Sequence, residues 1–184
     1  MAIKYYSVTE VLSPWSNEKF QQQGITEKKL MVAAAKGTLC HSWCEAYLLD
    51  LPLPTVPEIY QGYTKSFALW ADKFVRRVLW TEKELTDEQL FYKGHPDFLA
   101  YCDFSKGEVL ALPDLKTPIQ YSVFWEAQLG GYLNLVRKEG WFPDWVGSLQ
   151  LQQDGGWPKP KKLENPEIGL AKFLVALQAR RIFG

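Results

Sequence analysis

The 184 residues carry 21 Lys and Arg against 21 Asp and Glu, a formal net charge of zero, with 47% hydrophobic residues and eight tryptophans. That length and apolar content suit one domain over 1–184 with a sizeable core, and the charge balance argues against a protein that coats nucleic acid through overall charge. No run is apolar enough to span a bilayer, the first residues lack a signal peptide's apolar stretch, and an odd three cysteines point to a reducing compartment, so the cytoplasm is the expected location.

In chain order, Ser7-Val8-Thr9-Glu10 has the spacing of a capping box and predicts a short helix stopping before Pro14. A second helical stretch is expected from Thr26 to about Asp50, with Leu30, Met31, Ala33 and Ala34 on its apolar side and a break near Gly37, as a kink or a new helix start. His41 and Glu45, four apart, share one face of it; taken alone they read as a surface pair. Cys40 and Cys44 share another face. With only Cys102 and His95 in reserve they fall short of a zinc centre and read as buried thiols. Prolines at 52, 54 and 57 make 51–57 a stiff connector.

From 58 to about 79 the spacing of Tyr63, Phe67, Trp70, Phe74 and Val78 predicts an amphipathic helix, its aromatics core rather than a base-stacking platform. Strands are expected over 80–85 and 89–92. Glu82 and Glu84 lie on one side of the first; solvent-facing is the commoner fate for such residues, reach to a site the rarer one. His95 is held extended by Pro96 and lines a cleft or competes as a ligand.

A hairpin follows, with runs over 98–104 and 108–112 about a Ser105-Lys106-Gly107 turn. Asp97 starts the first run; Asp114 and Lys116 end the second, so all three meet at one end of a sheet. Asp114 and Lys116, two apart, point to one face while Leu115 points into a core. Two carboxylates beside a lysine suit a magnesium or manganese ion, whose bound water the lysine can orient; an isolated D-x-K is as readily a salt bridge at a strand end. A helix over 122–138 puts Gln128 and Tyr132 four apart on one face. After a strand over 145–152, residues 154–162 read as a basic flexible loop whose Lys159, Lys161 and Lys162 can meet phosphates. Asn165-Pro166-Glu167 opens a last helix reaching about Ile182.

Pro96-Asp97 followed by Asp114-Leu115-Lys116 resembles the signature of the PD-(D/E)xK nuclease superfamily, and the surroundings resemble its RecB-like, phage-type exonuclease branch over roughly 7–154. The Ser-Val-Thr-x-Val-Leu opening, the Gly37-x-x-x-His41 pattern and the Gln128-x-x-x-Tyr132 pair after the D-x-K strand add to the likeness. The resemblance implies a restriction-endonuclease-like α/β core, a mixed central sheet flanked by helices in the order αβββαβ. It implies a magnesium or manganese ion held by His41, Asp97, Asp114 and the Leu115 carbonyl, with Glu45 behind them. Lys116 would act on the water, and Gln128 and Tyr132 would position the strand. Some relatives hold an iron–sulfur cluster through four cysteines; three cannot, so none is expected. The implied function is DNA exonuclease action in recombination, repair or phage DNA processing, with DNA as partner, no membrane, and a homo-oligomer or a recombination partner protein as further possibilities. The alternatives are a structure-selective endonuclease of the junction-resolvase type and a non-catalytic nucleic-acid-binding protein on a nuclease fold.

Overall fold

The capping box forms as its spacing prescribes: in a computed structural model, Ser7 Oγ accepts from the Glu10 amide at 3.1 Å and Glu10 Oε2 from the Ser7 amide at 3.3 Å. The model describes residues 4–22, 24, 26–104, 107–118 and 121–184. After a short strand, β1 (Tyr6–Ser7), helix α1 (Val8–Gln22) does not stop before Pro14 but runs through it. A proline there leaves the Glu10 carbonyl without its helical N–H, and Ser13 Oγ donates to that carbonyl at 3.0 Å instead. Helix α2 (Glu27–Leu48) likewise passes Gly37 unbroken. One interior glycine costs only about 1 kcal/mol, less than the buried second half of the helix supplies. The first half stands in solvent, with Met31 68% and Val32 53% exposed, so the apolar side expected there is not core.

Helix α3 (Gln61–Phe74) follows a 3-10 turn over Glu58–Tyr60, and its aromatics Tyr63, Phe67 and Trp70 are buried as expected. It ends five residues short of the expected 79, because Val75–Thr81 is strand β2. Val78 fits either period, and pairing with a neighbouring strand decides between them. The next strands are β3 (Leu85–Asp87) and β4 (Tyr92–Gly94), shifted from the expected 80–85 and 89–92. The hairpin strands are β5 (Phe98–Phe104) and β6 (Gly107–Lys116); the turn residues Ser105 and Lys106 lie outside the described residues. Helix α4 (Phe124–Lys138), strands β7 (Trp145–Gln150) and β8 (Lys159–Lys162), and helix α5 (Pro166–Phe183) complete the order.

Five strands form a sheet in the order β2-β5-β6-β7-β8, antiparallel except for the β6–β7 pair; β1, β4 and β3 make a smaller one. Residues 159–162 are thus an edge strand and not the loop expected, and prolines with lysines are the residues an edge strand tolerates. Alternation along β5 and β6 splits the core between the two faces. Phe98, Ala100, Ala111 and Leu115 pack under α2 and α3, while Leu99, Leu110 and Leu112 pack under α1, α4 and α5. This is the α/β fold expected: mixed sheets flanked by helices, with α2, β2, β5, β6, α4 and β7 in the αβββαβ order and α3 packed beside α2.

One irregularity in the larger sheet opens a notch at its end. The β5–β6 ladder ends at Ala100–Ala111, after which Leu99 and Phe98 pair only with β2 and Leu112 to Lys116 only with β7. The two strands splay apart and leave a notch at the sheet end. Pro113 lies beyond the last β5 partner, where a missing N–H breaks no rung of that ladder.

Candidate active site

A splayed strand exposes amides that need partners. The Leu115 amide, past the end of the β5 ladder, donates to Asp97 Oδ2 across the notch. Asp97 precedes β5, and its other oxygen, Oδ1, lies 2.9 Å from His41 Nδ1, which α2 brings round the sheet end. One carboxylate therefore ties the hairpin to the second helix. Asp97 and Asp114 are 9% and 3% exposed, so both carboxylates are held out of water.

On the α4 face, Lys116 Nζ stands 2.5 Å from Asp114 Oδ2 and 2.9 Å from Gln128 Oε1. Gln128 Nε2 in turn donates to the Tyr132 hydroxyl at 3.2 Å. The four-residue spacing of Gln128 and Tyr132 on α4 makes that relay possible. Gly94 on β4 lets Tyr132 approach: a Cβ at that position would lie 2.7 Å from the tyrosine ring. These groups, with His41 and Asp97, line one pocket of about 260 Å³.

His41, Glu82 and Asp97 each offer a ligand atom, and these atoms lie within 4.8 Å of one another. Together they could hold a metal ion. Imidazole nitrogen with carboxylate oxygens is a donor set that such ions accept. Asp114 Oδ2 is buried against the Lys116 ammonium at the edge of this cluster. Glu82, for which solvent was the commoner expectation and reach to a site the rarer, takes the rarer course. It lies just past β2 rather than within a strand, in the left-handed region at φ 44°, with its amide donating to the Asp97 carbonyl at 2.9 Å. That backbone turn points the carboxylate inward, and sequence alternation carries no signal for it.

The electrostatics follow from burial and crowding. Burial, and then the Asp97 charge, push the Glu82 carboxyl up to about 7. Burial raises Asp114 to about 6, with Asp97 adding to the rise and Lys116 opposing it. For His41, burial opposes the charged ring, but Asp97 more than offsets this and the pKa lies above its ordinary value. Burial would raise Asp97 too, yet His41, Lys116 and the Leu115 amide bring it below the usual carboxylate range. Taken together, these groups hold more protons near neutrality than they would in water.

The other expected residues fall as follows. The Leu115 side chain is buried on the α2–α3 face, and its carbonyl belongs to the strand end carrying Asp114 and Lys116. Glu45 Oε1 accepts from the Thr81 hydroxyl at 3.0 Å, one residue from Glu82. His95 is among the pocket's lining residues, with its ring near the Glu82 carbonyl and Glu84 Oε2, at 3.3 and 3.1 Å. Lys159 and Lys161 stand in register through Gln150 and Ser148 with Lys116 and Asp114, so the edge strand shares the site's end of the sheet. Lys161 Nζ lies 3.3 Å from the Tyr121 ring centroid, and all three lysines, Lys162 included, are exposed. Lys36, unremarked in the sequence, donates to the Thr117 carbonyl at 3.2 Å and so pins the chain just after Lys116. Ser7, Val8 and Thr9 also reach the pocket wall from the start of α1. All three cysteines are free and buried.

Comparison with known proteins supports the architecture. The chain matches a crystal structure from Eubacterium rectale described as a "putative exonuclease", with a TM-score of 0.53 and 13% identity over 97% of this chain and 79% of that one. At that identity the likeness is one of fold: a nuclease-like α/β arrangement. No protein-family model matches the sequence, and no curated protein does. Among the described residues no helix is long and apolar enough to cross a membrane.

Proposed function

We propose that the protein is a metal-dependent nuclease of the PD-(D/E)xK superfamily, close to its RecB-like branch, and that it hydrolyses DNA phosphodiester bonds from ends. The observation that carries this reading is the placement of Lys116, held between Asp114 and Gln128 in the same pocket as the His41–Glu82–Asp97 cluster. A surface salt bridge would leave the lysine free to move in water. Here it is 9% exposed and aimed into a cavity. The fold it shares with a protein described as a "putative exonuclease" agrees with the reading.

His41, Glu82 and Asp97, with Asp114 beside them, are the residues that would hold magnesium or manganese, both of which accept carboxylate oxygens. Bound there, such an ion would supply Lewis-acid chemistry, polarising a phosphoryl oxygen and making water easier to deprotonate. The chain's own groups do the rest. Lys116 orients the attacking water and donates to charge that builds on the phosphoryl oxygens. Gln128 fixes the ammonium from behind, and Tyr132 fixes Gln128, so the lysine is pre-organised before substrate arrives. Water adds to phosphorus and gives its proton to the pocket's carboxylates or to solvent, while the bond to the leaving oxygen breaks and that oxygen takes up a proton from solvent. Lys159, Lys161 and Lys162 contact the flanking phosphates from the edge strand.

The test uses end-labelled linear DNA and covalently closed circular DNA with Mn²⁺, comparing wild type with Lys116→Ala. Linear DNA should be degraded, circular DNA spared, and the variant should lose about a hundred- to thousandfold in rate while folding normally. Cleavage of intact circles would make the enzyme an endonuclease. Normal turnover by the variant would remove Lys116 from the chemistry.

A further inference from the structure

The last helix carries a feature that the catalytic pocket does not use. Helix α5 buries Gly169, Phe173, Ala176 and Leu177, chiefly against α4 and α1, yet Ile168, Val175 and Ile182 on its other side are 51%, 71% and 69% exposed. These three are seven residues apart, and Ala171 and Ala179 fall between them. At 100° per residue the five positions lie within a stripe about 80° wide. A solvent-facing helix side of this length ordinarily carries polar residues.

The stripe reads the same in both directions. From Val175 the spacing to Ala171 and to Ala179 is four, and from those alanines to Ile168 and Ile182 it is three. We propose that α5 is the interface of a two-fold dimer of this chain, with the helices antiparallel and crossing at Val175. In that arrangement Ile168 meets the partner's Ile182, the alanines let the backbones approach, and Val175 packs on its own copy. A two-fold contact requires a self-complementary patch, which a palindromic stripe supplies and an unrelated partner would have no reason to match.

The two arginines near the end of α5 turn away from the stripe and into their own chain, Arg181 donating to the Leu90 carbonyl and Arg180 lying over the Tyr6 ring, so neither charge interrupts the apolar surface. Glu167 keeps three-quarters of its side chain exposed even though Arg137 lies 3.2 Å away. Lys172, flanking the stripe, is turned aside by its 2.6 Å contact with Glu126. No α5 residue lines the catalytic pocket, so both sites stay open in the dimer. An 18-residue helix is about 27 Å long, and one such face is small for a protein interface. The dimer therefore forms and dissociates with concentration.

The test is sedimentation velocity of the full chain over about a hundredfold range of concentration, with two variants at the proposed axis. Wild type should pass from one chain mass to two. V175E, which sets two carboxylates face to face across the axis, should stay at one mass with an unchanged far-UV spectrum and melting temperature, since the position is exposed in the monomer. V175C should form a covalent dimer under mild oxidation, because a residue on the axis meets its own copy and the three native thiols are buried. A wild-type chain that holds one mass throughout, association by V175E like that of wild type, growth beyond two chains, or a V175C dimer that does not cross-link would each overturn the proposal. None of these readouts involves DNA cleavage, so they stand apart from the nuclease reading.

Discussion

Asp97 does two jobs with one carboxylate: Oδ2 takes the Leu115 amide freed by the splayed strands, and Oδ1 takes the His41 ring. Replacing it would cost fold and site together, which makes it a poor probe of either. Glu82 is the better one. Its carboxyl, lifted to about 7 by burial and by Asp97, is mostly neutral below that pH, where Glu82→Gln should preserve the fold in chelator. The same change removes one donor of the cluster. Calorimetric titration with Mn²⁺ should show affinity weakened by about tenfold or more, with the melting temperature in chelator equal to or above that of wild type. Unchanged affinity would take Glu82 out of the ligand set.

At the scale of elements, two glycines hold the site's back wall. Gly130 on α4 meets Gly169 on α5 so closely that a Cβ on Gly130 would lie 2.2 Å from the Gly169 carbonyl carbon. Backbone cannot yield as a flexible side chain does, so Gly130→Ala should destabilise the protein by about 3 kcal/mol, read as a lowered denaturant midpoint. Gly94→Ala acts on the chemistry instead: its Cβ would press 2.7 Å from the Tyr132 ring and push the hydroxyl off Gln128. The expected outcome is a loss of cleavage rate larger than the loss of stability explains, with Mn²⁺ affinity nearly unchanged; equal losses would argue that Tyr132 only fills space.

For the whole molecule, the site makes stability depend on pH in a particular direction. Glu82 at about 7 and Asp114 at about 6 lie above their ordinary 4.5 and 3.8, and His41 lies above its ordinary 6.5. Each raised group binds its proton more tightly when the chain is folded. Their stabilisation is present at low pH and is lost as pH rises through the folded values. Asp97, shifted down, acts the opposite way but only near and below 3.8. In chelator the melting temperature should therefore fall as pH rises from about 5 to 8, and Mn²⁺ should reverse the trend, because its ligands must shed those same protons. A flat profile in chelator would show that the pocket does not titrate in this range.

How far the residue pattern reaches can be judged element by element. The capping box at Ser7, the buried aromatics of α3, the inward Leu115 between Asp114 and Lys116, and the Gln128–Tyr132 spacing were all legible, because each depends on a local period or a short contact. Pro14 inside a helix, the unbroken α2 at Gly37, and the early end of α3 were not; in each a local preference of a few kcal/mol or less lost to packing or strand pairing. The lysines at 159–162 became an edge strand because β7 offered them a ladder.

By itself the chain's order of residues determined which side chains could share a face of one element, since helix and strand periods are properties of the backbone. Only the tertiary structure decided which faces met. The ladder between β5 and β6 ends where β2 and β7 each claim one strand, and that divergence creates the notch into which His41 and Asp97 fold. Glu82 joins them through a single left-handed residue, a backbone choice made by long-range hydrogen bonding to Asp97 and by no period in its own neighbourhood.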